Sequence, residues 1–100
     1  MGRNIQVEPE QLDSTANRIE SLAGEYKTQY ENFYTETDAM SSSFSGNAYT
    51  AFVDQVGGFK DDFKKMYELM LAYADFLRKA AKAYRDTQEA AVQQARKLAN

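Results

Sequence analysis

Apolar side chains recur along this chain at steps of three and four residues, and the recurrence breaks only once. In the first half a seven-residue beat aligns Leu12, Ile19, Tyr26, Phe33 and Met40, with Ala16, Ala23, Tyr30 and Thr37 filling the intervals. Such spacing puts one continuous stripe on an α-helix, of the kind that seams one helix to another. The beat stops at Ser41-Ser42-Ser43-Phe44-Ser45-Gly46-Asn47, a cluster of turn-forming residues. It resumes at Phe52, Val56, Phe59, Phe63, Met66, Met70, Tyr73, Leu77, Ala80 and Tyr84. Two long amphipathic helices with so short a join must fold back on each other. The expectation is an all-α, antiparallel helix-turn-helix hairpin forming one domain over 1–100. Helix 1 is predicted over about 9–40, the turn over 41–47 and helix 2 over 48–86, with a tail over 87–100 that is helical or disordered.

Local signals agree with this layout. Pro9, the single proline, suits the first position of a helix, where its missing N–H is not needed, and Glu8 stands at the cap. Gly24 interrupts the first stripe at a cost of ~1 kcal/mol relative to alanine. Gly57-Gly58 does the same to the second at ~2 kcal/mol. The pair reads either as a close backbone approach or gentle kink near the hairpin end, or as a hinge or partner contact.

The stripe on helix 2 is too wide for one neighbour. Beside the seam of Phe59, Phe63, Met66, Met70, Tyr73 and Leu77 runs a second row of Leu69, Phe76 and Ala83, while helix 1 adds Leu22 and Tyr34 outside its own seam. A lone hairpin leaves these wet, and small chains gain little from one thin core. Pairing two hairpins into a four-helix bundle removes the problem, with Leu69 and Phe76 as the candidate dimer flank. Charge favours contact between unlike helices. Residues 1–40 carry eight acidic and three basic side chains, and residues 41–100 carry nine basic and seven acidic.

Composition narrows the function. The 100 residues include no His and no Cys. Ser-His-Asp and Cys-His catalysis, thiolate metal sites and disulfides are therefore outside the chain's chemistry, and no cofactor or metal is expected. Adjacent carboxylates such as Asp61 and Asp62 point about 100° apart on a helix and do not converge, so they read as solvated surface rather than an acid–base pair. A net charge of −3 argues against nucleic acid, which needs a basic surface. A mean hydropathy of −0.68 argues against stable membrane insertion. The opening MGRNIQVEPE lacks the apolar stretch of a cleavable leader.

These features together resemble the WXG-100 family, the ESAT-6-like small substrates of type VII secretion. The resemblance rests on the chain length, two helices, the opening Ile5, Val7, Pro9, Glu10, Leu12, and Phe44-Ser45-Gly46 where the family has Trp-x-Gly. Phenylalanine keeps an aromatic plug for the turn and loses only the indole N–H. The family's C-terminal Tyr-x-x-x-Asp/Glu finds its best match at Tyr84-Arg85-Asp86-Thr87-Gln88, with Gln88 in place of the acid, Asp86 two residues early and Glu89 one late.

The resemblance implies a dimer with itself or a sibling WXG-100 chain. It also implies export by a membrane complex driven by an FtsK/SpoIIIE-like ATPase, mainly in Gram-positive bacteria. The protein would be cytoplasmic before export and secreted without a cleaved signal peptide, acting as effector or escort through protein–protein contact. Phe44, Ser45 and Gly46, with Tyr84, Asp86, Gln88 and Glu89, would form the export signal. The competing reading is an intracellular helical-bundle adaptor or chaperone-like protein that is not secreted.

Overall fold

The computed structural model describes residues 8–41, 43 and 46–99. They form two helices, α1 (Pro9–Ser41) and α2 (Asn47–Ala99). The start of α1 follows from its proline. The Glu8 carbonyl accepts the first helical bonds from the Gln11 and Leu12 amides, at 3.0 and 3.3 Å. At the other end the Met40 carbonyl accepts from the Ser43 amide at 2.9 Å and from its hydroxyl at 2.7 Å. Gly46 then takes a φ of +67°, the left-handed conformation that glycine adopts without steric cost. Its carbonyl accepts the first bond of α2 from the Thr50 amide at 3.3 Å. From there α2 runs unbroken through the 87–99 stretch, where the sequence leaves helix and disorder open.

The hairpin is a single layer, 83 × 29 × 15 Å. Its core changes character along its length. At the open end Ala16, Ala23, Ala74 and Ala81 are fully buried and Leu77 nearly so, with Leu12 and Ile19 packed against them. Alanines let two helix axes approach closely. Toward the turn the contact is aromatic. Phe63 sits among the rings of Tyr26, Tyr30, Phe33, Tyr34 and Phe59, with centroids 5.9–6.3 Å away. These offset and edge-on arrangements suit ring quadrupoles. Thr37, the one buried polar side chain among the described residues, donates to the Tyr34 carbonyl at 3.0 Å.

The structure corrects the seam in detail. On α1 the inward face carries Leu12, Ala16, Ile19, Ala23, Tyr26, Tyr30, Tyr34 and Thr37, whereas Phe33 and Met40 are exposed. A straight α-helix has 3.6 residues per turn, so a seven-residue beat drifts by about 20° per repeat. Over three repeats from Leu12 the drift turns Phe33 to the edge of the interface, where its ring still meets Phe63 edge-on, and brings Tyr34 further in. On α2, Phe63, Met70 and Leu77 face α1, while Phe59, Met66 and Tyr73 lie to one side, each about half exposed.

Glycine and aromatic substitutions test this packing. Gly46→Ala is expected to cost ~1 kcal/mol, because alanine must hold a positive φ. Gly24→Ala, in mid-helix with open space where the methyl group would stand, is expected to gain ~1 kcal/mol. Chemical denaturation of both variants checks the opposite signs. Phe63→Ala is expected to lower stability by ~3 kcal/mol by removing the ring its neighbours share. An unchanged melting temperature would take Phe63 out of the core.

Candidate functional site: an open apolar face and a protruding helix end

The two broad faces of the hairpin differ in chemistry. At about 100° per residue, Leu22, Phe33 and Met40 of α1 lie to the same side of the helix pair as Phe59, Met66, Leu69, Tyr73 and Phe76 of α2. All eight are exposed, Leu69 and Phe76 most of all at 62% and 61%. The Tyr73 and Phe76 rings stack with centroids 6.2 Å apart. A shallow hollow bordered by Leu22, Tyr26, Gln29 and Met70 opens between the helices.

The opposite face is fastened by charge. Arg78 donates to both carboxylate oxygens of Glu20 at 3.1 and 3.2 Å and to Asn17 Oδ1 at 2.8 Å. Arg85 reaches Asp13 at 2.7 Å and Glu10 at 4.0 Å. Lys27 lies over the Tyr67 ring and Lys60 over the Tyr34 ring, 5.5 and 5.7 Å from the centroids. The arginine pairs realise the acidic-on-basic bias of the two helices. Partly exposed as they are, each contributes ~0.2–1 kcal/mol and mainly fixes which faces meet.

The exposed area agrees with an uncovered face. The chain presents 8090 Å², against about 5,800 Å² for a compact monomer of its mass. Much of the excess comes from the one-layer shape, which gives Leu69 and Phe76 nothing to pack on.

The remaining site residues lie at the two ends. Phe44 and Ser45 fall outside the described residues, so of the turn motif only Gly46 has a described conformation. Every described residue from Lys82 to Ala99 is exposed. Because Arg85 is level with Glu10 and Asp13, the last turns of α2 project past the start of α1. Within this end, Tyr84 and Gln88 are one turn apart and share a face. Asp86 is about 200° around the helix from Tyr84, and Glu89 about 140°. Neither acid therefore replaces the missing one beside Tyr84. Asp86 is bound instead to Lys82 at 2.8 Å, a hydrogen-bonded pair that raises the lysine's pKa, and Glu89 accepts from Gln93 at 3.1 Å.

Tyr34 is the residue the sequence pattern misplaces. Set outside the seam by a seven-residue count, it lies inside by a 3.6-residue count. Its hydroxyl donates to the Val56 carbonyl of α2 at 3.0 Å. Burial, then the carboxylates of Asp61 and Asp62, raise its pKa above the ordinary tyrosine value. Among the described residues no group of three or more acidic side chains is placed to hold a metal, and no helix is long and apolar enough to cross a membrane.

The fold has close counterparts. The crystal structure of the secreted protein ESXB from Bacillus anthracis strain Sterne superposes with a TM-score of 0.75 at 18% identity, over 87% of this chain and 99% of that one. A point mutant of the same Bacillus anthracis protein gives a TM-score of 0.75 at 20% identity, over 86% and 96%. At this identity the likeness is one of fold. No curated protein sequence matches significantly. The family pattern described as proteins of 100 residues with WXG matches residues 4–89. That span takes in nearly the whole hairpin and the turn, and the chain belongs to the WXG100 family.

Proposed function

We propose that this protein is a small dimeric substrate of type VII secretion, acting outside the cell as effector or escort by protein contact rather than by catalysis. The observation that carries the reading is the apolar face of Leu22, Phe33, Phe59, Met66, Leu69, Tyr73 and Phe76 on a family hairpin one layer thick. Covering it with a second WXG100 chain, a copy or a sibling, gives each apolar row a partner and makes a four-helix bundle.

Helical rise supports a composite export surface in such a dimer. The exposed row is centred between Met66 and Leu69. From there to Asn47 is about 30 Å at 1.5 Å per residue, and to Gln88 the distance is the same. A second copy packed antiparallel across that centre brings Gly46 and the start of its α2 level with Tyr84 and Gln88 of the first. The FtsK/SpoIIIE-like ATPase of the secretion complex is the proposed reader of this surface.

Leu69→Glu combined with Phe76→Glu is expected to leave helicity largely intact and to convert the dimer to monomer in sedimentation, since neither side chain supports the hairpin core. A dimer that survives both charges would place the partner on another face.

The functional test compares culture medium and lysate of the host with and without its FtsK-like ATPase. Intact protein in the medium only when the ATPase is present is the expected result. Retention in both strains would leave an intracellular adaptor. Gln88→Glu, which restores an acid beside Tyr84, is expected to raise the secreted amount without changing the melting temperature. An unaltered amount would remove Tyr84 from the export signal.

A further inference from the structure

Gly57 and Gly58 lie in the middle of a helix, and the hairpin makes no use of them. Each is exposed, and a Cβ built on either meets no atom within 4 Å. Close approach between α1 and α2 is therefore not their purpose. Two adjacent glycines nonetheless weaken a helix more than any other pair without proline, by leaving its backbone the most conformational freedom.

What lies on their N-terminal side is shallowly buried. Residues 47–56 of α2 include no buried side chain. Phe52 and Val56 are half-buried, Tyr49 and Val53 are exposed, and the alanine core lies at the far end of the hairpin. A hydrogen bond clasps this segment to α1. Tyr34 donates to Val56, the last carbonyl before the glycines, while Lys60, on their other side, covers the same tyrosine ring. Behind the clasp is a cleft of about 160 Å³ lined by Tyr34, Thr37, Val53, Val56, Gly57 and Lys60.

We propose that residues 47–56 form a flap that swings about Gly57-Gly58 and is latched shut by the Tyr34–Val56 hydrogen bond. Opening breaks that bond and widens the cleft beside Tyr34 and Thr37, so the turn end can change its angle to α1 while the alanine seam stays closed. The glycines act as hinge and Tyr34 as latch. The device belongs to the hairpin alone and does not depend on export or on a second chain.

Hydrogen exchange on the full chain tests it. In the native protein the amides of Tyr49–Val56 should exchange faster than those of Ala74–Ala81. Gly57→Ala with Gly58→Ala should slow Tyr49–Val56 on the order of tenfold and leave Ala74–Ala81 unchanged. Tyr34→Phe should speed up the same segment alone, by severalfold. A slowing spread evenly along α2, or an unchanged profile in either variant, would overturn the hinge.

A distance measurement reads the same motion directly. Because the chain has no cysteine, Glu36→Cys with Asp54→Cys takes two nitroxides cleanly, with excess unlabelled chain to dilute contacts between copies. Two distance populations are expected in the native background, one in the double alanine variant, and more of the longer one in Tyr34→Phe. A single narrow distance in all three would overturn the proposal.

Discussion

One helix can cover only part of the apolar arc that α2 carries. Side chains from Tyr67 on one edge to Phe76 on the other spread over about half of the helix circumference. α1 occupies the portion lined by Phe63, Met70, Ala74, Leu77 and Ala81, and the ion pairs of Arg78 and Arg85 hold it there. With α1 fixed by charge on one side, the uncovered apolar residues collect on the other. The flat, two-faced shape and the large exposed area both follow from that mismatch between arc and neighbour.

The two ends of the hairpin are built by different means. Alanines at the open end permit a tight, fully buried seam that tolerates little change in spacing. Aromatic rings at the turn end fill a wider gap through edge contacts and remain partly wet. A graded interface of this kind concentrates burial near Ala74–Ala81 and leaves the turn end, with Gly57-Gly58, more openly packed.

In the tail, helical geometry alone sorts the side chains by direction. Continuous helix through Ala99 gives each side chain a fixed bearing around the axis. Tyr84 and Gln88 share one bearing, whereas Asp86 and Glu89 point elsewhere, so acids close in sequence are not equivalent to an acid at the right turn. The same reasoning applies to Asp61 and Asp62, which act on Tyr34 only through their fields.

Much of the molecule was legible from spacing. The three-and-four step, Pro9, and the Ser/Gly/Asn cluster set two helices, their direction and their join, because amphipathic period and backbone conformation are local properties. The family could be reached from Ile5, Val7, Pro9, Glu10 and Leu12 together with Phe44-Ser45-Gly46. The distribution of side chains between the two faces could not. How deeply Phe33 and Tyr34 are buried against α2 depends on the small difference between 3.5 and 3.6 residues per turn, which accumulates over three repeats. Only the packed pair, fixed by alanine contact and the Arg78–Glu20 bridge, decides where that drift starts and which row is left outside.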